Sequence, residues 1–139
     1  MSNCIFCSIV EGQIPAYVIY QDEYYLAIMD RYPSTKGHVL ILPKRHVADI
    51  YGLNQVEATA LMPLAQKISA KLQDNLKMAG LNLMQNNGKA AGQVIDHFHL
   101  HLIPRYENDG IRFHPNPTDP PLEELESLAT ILKLEGATI

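Results

Sequence analysis

His97, His99 and His101 stand at alternate positions in the run Asp96-His97-Phe98-His99-Leu100-His101-Leu102-Ile103-Pro104-Arg105. A period of two is the strand period, so the spacing predicts imidazoles on one face and Phe98, Leu100 and Leu102 on the other. Alternate strand residues lie about 6.6–7 Å apart, so such a row can span a phosphate group or grip one metal ion from two positions. An imidazole with an ordinary pKa near ~6.5 is substantially neutral at pH 7 and keeps a lone pair on one ring nitrogen. If its other nitrogen donates to a carbonyl, that lone pair is aimed, which is what a nucleophile attacking phosphorus requires. A polar strand face is ordinarily just solvated, but three histidines in register are an unusual way to make one.

Cys4 and Cys7 form a CxxC pair and are the only cysteines. In a reducing compartment such a pair serves metal binding or redox chemistry more often than a structural disulfide. A thioredoxin-type site would want a strand before the motif and a long helix after it. No room for that strand precedes Cys4, so metal binding is the expected use.

The elements that must position these residues follow from the patterning. Residues 4–11 read as a short helix, closed by Gly12 and Pro15. Val18–Gln21 and residues 24–29 are rich in β-branched and aromatic side chains around a short polar turn, which predicts a hairpin. Residues 30–37 hold Pro33, Ser34 and Gly37 and read as a loop, and 38–42 as an apolar strand stopped by Pro43. Leu61, Leu64, Ile68, Leu72 and Leu76 recur at spacings of three and four, giving a helix over about 54–77. Pro63 inside it predicts a kink or a late start, and Gly80 its end. A strand over 81–85, a glycine-containing loop over 86–92 and the histidine strand to about Pro104 follow. A linker with Pro115, Pro117, Pro120 and Pro121 leads to a helix over 122–134 with Leu125, Leu128, Ile131 and Leu132 on one side.

The chain has 139 residues, a one-domain size, and a hydrophobic fraction of 47% ordinary for a globular protein. A net charge of −4 without a basic run lacks the footprint of a nucleic-acid-binding protein. The longest apolar run, Val39–Pro43, is far too short to cross a bilayer, so no membrane partner is expected. The N-terminus has no basic segment followed by a long apolar core, so the expectation is a cytoplasmic protein without a signal peptide.

The HFHLHLI run resembles the histidine-triad (HIT) superfamily of nucleotide-binding proteins. The resemblance extends to Cys4-Ile5-Phe6-Cys7, to Ala27-Ile28-Met29-Asp30, to the stretch from Gly37 to His46, and to Asn86-Asn87-Gly88 with Gly92-Gln93, covering about residues 4–106. It implies an α+β fold, a five-stranded antiparallel sheet packed with helices, and a homodimer whose sheet continues across the interface. Residues 1–106 would be the HIT domain, and 107–139 a C-terminal extension within the same single domain.

By position in that resemblance His99 is the nucleophile, attacking the α-phosphorus of a purine nucleotide to form a nucleotidyl-histidine that water hydrolyses. His101 would donate to the phosphate or the departing group, and His38 would give electrostatic support. Asn86, Gln93 and the amides around Val94 match positions that contact ribose and phosphate, and Asp30 a residue that bonds ribose hydroxyls. Ile5, Phe6 and Ile28 are candidates for an apolar cleft around the base. Cys4, Cys7, His46 and His97 match a quartet found in some members, and two thiolates with two imidazoles make a common closed zinc site. Zinc on His97 would occupy one of its nitrogens and make it a poor proton donor. The competing readings are a nucleotide-binding scaffold with little turnover, and a zinc hydrolase with the metal on the triad itself. Cys4 and Cys7, which offer zinc a better home, argue against the latter. Lys44, Arg45 and Arg105 read as solvated charges outside the site.

Overall fold

The structure is a computed structural model describing residues 3–136. Its contacts gather into two compact units, Met1–Asp109 and Gly110–Ile139. In the first, β1 (Val18–Gln21), β2 (Tyr25–Met29), β3 (Val39–Pro43), β4 (Gly80–Met84) and β5 (Leu100–Arg105) form one antiparallel sheet in the order β1-β2-β3-β5-β4. The hairpin forms between β1 and β2, where the Asp22 carboxylate accepts from the Tyr24 and Tyr25 amides and the Tyr20 hydroxyl. A short side-chain acceptor holding the next amides is the usual reason aspartate opens a turn.

β2 and β3 are almost wholly buried because both faces of the sheet are covered. Tyr25, Ala27, Val39, Ile41, Leu100 and Leu102 pack against Leu64, Ala65 and Ile68 of α2 (Gln55–Asn75). Leu26, Ile28, Leu40 and Leu42, on the other face, pack against Phe6 of α1 (Ile5–Val10). His101 is paired directly with Leu40, so it joins the α1 face while Leu100 and Leu102 go to the α2 face. Gly37 sets the entry to β3: its φ of +89° suits glycine, and a Cβ there would run into Leu76. His38 therefore arrives at the sheet on the same side as Leu40.

Two expectations are corrected. The histidine run was expected to be strand from His97, but the ladder begins at Leu100, and only His101 lies within it. Continuing the register in which Ile41 faces Leu100 would set Pro43 against Phe98, and proline has no N–H to give. The lead-in turns to other partners: the Phe98 amide bonds the Val47 carbonyl at 2.6 Å, and the His97 ring takes the Pro43 carbonyl. The long helix occupies nearly the expected 54–77, and of the two alternatives at Pro63 the late start is the one that fails. It starts at Gln55 because Asn54 and Glu57 close a capping box, and it passes through Pro63. Pro63 and Thr59, whose carbonyl it leaves without an amide, are both exposed, so that carbonyl is not shut into the core. The helix ends at Asn75, and Gly80 opens β4 opposite Arg105.

Arg45 and Arg105 are not simply solvated. Arg45 clamps the buried Glu57 carboxylate through Nε and Nη2, both at 2.8 Å, and also bonds the Gly52 carbonyl. Arg105 holds Asp109 and Asn82. In the second unit α3 (Leu122–Leu132) is helical as expected, with Leu125, Leu128, Ile131 and Leu132 exposed.

The cap and the clamp differ in what their loss leaves behind. Asn54→Ala should cost about 1 kcal/mol, the usual value for a cap. Arg45→Met should cost about 2 kcal/mol, because Glu57 would keep its charge with no counter-charge. The partial exposure of Arg45 holds that figure below the cost of breaking a fully buried pair. Urea denaturation of the two variants checks the order, and a smaller loss for Arg45→Met would refute it.

Candidate active site and metal centre

The site lies on the α1 face, built from the ends of β2 and β3 and the start of β5. His99 is buried, and its Nδ1 donates to the His97 carbonyl at 2.7 Å. That bond places the proton on Nδ1 and the lone pair on Nε2. Nε2 has no protein partner, and among the described residues no buried side-chain nitrogen or oxygen lacks one, so this atom opens to solvent. The rings of His101 and Phe6 flank His99, with centroids 4.8 and 5.0 Å away. His38 Nε2 lies 2.9 Å from His101 Nδ1 and 3.4 Å from Asp30 Oδ2, and the Ser34 amide donates to His38 Nδ1 at 3.0 Å.

Burial lowers the pKa of His99, against the His97 carbonyl and Asp30, which both favour the charged form. His38 is lowered by burial and by His99, with Asp30 opposing. His101 is pushed down to about 4, first by burial and then by His99 and His38. The site at neutral pH is therefore a set of uncharged imidazoles beside one carboxylate, suited to offering lone pairs and N–H groups rather than cationic charge.

The other candidates fall into place around it. Phe6 and Ile28 are buried under the site, while Ile5 is half exposed. Asp30 follows β2, its Oδ1 accepting from the Tyr32 amide. Gln93 is buried with its side chain already committed: Oε1 accepts from the Gly88 amide, and Nε2 donates to the Ala48 and Ile95 carbonyls. It shapes the 86–95 loop from within. The Asn86 side chain donates a long 3.5 Å bond to the Gly92 carbonyl, its own carbonyl accepts from Gln85 Nε2 at 3.0 Å, and Val94 is 91% exposed.

Cys4, Cys7, His46 and His97 form a second cluster whose donor atoms all lie within 4.8 Å of one another. The two cysteines are not joined in a disulfide. His97 Nε2 donates to the Pro43 carbonyl at 2.8 Å, so its Nδ1 presents a lone pair, 3.3 and 3.6 Å from the two sulfurs. His46 Nδ1 is 3.2 Å from Cys7 Sγ. Tetrahedral ligands at usual zinc–nitrogen and zinc–sulfur lengths stand about 3.5 Å apart, so the cluster fits such an ion. The α1 start supplies the pair because Cys4 Sγ caps the helix by accepting from the Cys7 amide. His97 joins both clusters, its ring in one and its carbonyl holding His99 in the other.

Reading residue types missed the main-chain groups: the Pro43 and His97 carbonyls and the Ser34 amide. No side-chain identity announces them. Only the alternation of the triad hinted that some backbone group must sit behind each ring.

The histidines should leave a mark on stability. Ring groups whose pKa is lowered on folding bind fewer protons folded than unfolded, so their contribution is complete above the unfolded value and is lost as pH falls. For His101 the loss should run from about 6.5 down to about 4, and the lowered pKa of His38 adds a loss in the same direction. Urea midpoints measured across that range should fall more steeply in the parent chain than in His101→Gln. Equal slopes would mean that His101 is not held neutral.

The comparisons with known proteins agree with this fold. The sequence profile of the HIT domain matches residues 11–108. A HIT family protein from Bacillus anthracis superposes with a TM-score of 0.88 at 41% identity, over 94% of this chain and 95% of that one. A zinc-bound histidine triad family protein from Mycobacterium smegmatis gives 0.74 at 38% identity, over 84% of each chain. The adenosine 5'-monophosphoramidase of Schizosaccharomyces pombe is 34% identical over 129 residues, 91% of this chain and 92% of its own. With its five-stranded antiparallel sheet and three alternate histidines, this chain belongs to the HIT domain family.

Proposed function

We propose that the protein is a hydrolase of purine nucleoside phosphoramidates or dinucleoside polyphosphates, working through a nucleotidyl-histidine. The observation that carries this reading is the open Nε2 of His99, fixed as a lone pair by the Nδ1 bond to the His97 carbonyl. His99 Nε2 forms a bond to the α-phosphorus as the bond to the departing group breaks with its electron pair, and the departing group takes up a proton from solvent. Water then attacks the phosphorus and gives up a proton to solvent while the phosphorus–nitrogen bond breaks with its pair on Nε2, releasing the nucleoside monophosphate and returning His99 to its neutral state. Asp30 suits paired ribose hydroxyls as an acceptor, and Phe6 and Ile28 with the half-exposed Ile5 suit a purine ring. The 86–95 loop, with Asn86 and Gln93 and the amides near Val94, would border the phosphate. The phosphoramidase activity in the name of the fission-yeast relative supports this substrate class.

Zinc held by Cys4, Cys7, His46 and His97 would be a structural cross-link between α1, the loop after β3 and the start of the triad, and no step of the reaction passes through it. The zinc-bound mycobacterial relative supports that metal. We also infer a cytoplasmic homodimer, which would cover an exposed sheet edge. No helix among the described residues is long and apolar enough to cross a membrane.

His99→Ala should lower turnover of adenosine phosphoramidate or diadenosine polyphosphates by roughly 10,000-fold while keeping the fold and the zinc. In the parent chain, rapid quenching should trap an adduct one nucleoside monophosphate heavier on the His99 peptide. Binding of nucleotide without release of monophosphate from any of these substrates would establish the scaffold reading instead.

Cys4→Ala and Cys7→Ala should behave oppositely, losing zinc and melting temperature first and activity only in part. Metal content, melting temperature and rate on the three variants check the division. Complete loss of turnover in a zinc-free chain that remains folded would overturn it.

A further inference from the structure

Asp30, His38 and His101 form a second group of metal-type donors, with ligand atoms all within 4.8 Å of one another. Two imidazoles and a carboxylate are a familiar set for a divalent transition metal. The hydrogen bonds around the pair point the other way. The Ser34 amide can only donate, so His38 Nδ1 must accept, and the single proton of a neutral His38 ring sits on Nε2. That N–H lies 2.9 Å from His101 Nδ1, which must then accept in turn and carry its own proton on Nε2. His101 Nε2 has no protein partner and is not sealed from solvent.

We propose that the main-chain N–H of Ser34, acting through His38, sets the proton pattern of the His38–His101 pair, making His101 a neutral Nε2–H donor and keeping the three-residue cluster free of metal. To ligate a metal, His38 Nε2 would have to shed its proton to Nδ1, setting two N–H groups against each other across 3.0 Å. The cost of that opposed pair is what the Cys4, Cys7, His46 and His97 cluster avoids, since there His97 already has its proton on the far nitrogen. The consequence for catalysis rests on the reading of His99 as nucleophile. A phosphoryl oxygen near His99 would receive a hydrogen bond from His101 with no proton transferred, and a metal would be kept from the carboxylate proposed to bind ribose. Ser34 is thus a positioning residue, and its side chain is not what matters.

Two measurements on the parent chain test this without reference to turnover. Nitrogen-15 spectra of the histidine rings at pH 7 should show His38 and His101 each protonated at Nε2 and bare at Nδ1. Titration with zinc alone should stop at about one equivalent per chain. Ser34→Pro, which deletes the N–H, should take up about a second equivalent that is lost again in Ser34→Pro/His101→Ala, whereas Ser34→Ala, which keeps the N–H, should stop at about one. A proton on Nδ1 of His38 or His101 in the parent chain overturns the proposal. So does a second zinc in the parent chain that His101→Ala abolishes. If Ser34→Pro does not fold, the parent spectra and stoichiometry decide alone. Failure of the nucleophile assignment would appear separately, as an absent adduct on His99 with these spectra unchanged.

Discussion

The three buried histidines, His38, His97 and His99, each have one ring nitrogen committed to a main-chain group. Pro43 and His97 supply carbonyls that take a proton, and Ser34 supplies an amide that refuses one. An imidazole has two similar nitrogens, and which one bears the proton decides whether it is a nucleophile, a ligand or a donor. In a buried site that choice is made by whichever backbone group lies behind the ring. The chemistry of this protein therefore depends on three peptide groups being held in place, and most of the fold can be read as what holds them.

Pro43 illustrates the economy of the arrangement. As the last residue of β3 it has no amide with which to continue the ladder, so the chain at 97–99 separates from the sheet. The carbonyl of Pro43 is then available to the His97 ring, and that of His97 to the His99 ring. One missing N–H thus sets up two oriented histidines, one toward the cysteine–histidine cluster and one toward the proposed nucleotide site. On the far side, Gly37 and the Thr35 carbonyl, which accepts from the His38 amide at 3.2 Å, deliver His38 to the beginning of β3.

The cysteine–histidine cluster and the cluster around His99 are joined at His97. A cross-link on its ring also steadies its carbonyl, and the Phe6 ring stands at the edge of both His97 and His99. Loosening one cluster therefore removes some orientation from the other. Both sites lie over the face of the sheet opposite α2, where Leu26, Ile28, Leu40 and Leu42 form an apolar floor. The low polarity of that floor is what keeps the imidazoles uncharged.

The sequence by itself determined the parts of this protein that depend on periodicity and on residue type. Alternation around His99 separated imidazoles from core side chains, the leucine spacing marked α2, and the CxxC pair pointed to a metal, with His46 and His97 added to it by the family resemblance. Local patterning reaches that far because a side chain's face follows from its position along an element. It could not show where the ladder stops, since that depends on Pro43 lying across from Phe98, residues 55 apart in the chain. Nor could it exclude a late start of α2 at Pro63, which the Asn54–Glu57 cap decided by starting the helix at Gln55. Arg45 read as an ordinary solvated charge, because only folding sealed the Glu57 carboxylate that it holds. The protonation of each histidine was decided only by the tertiary structure, because backbone amides and carbonyls are the same in every residue and acquire identity only through what they face.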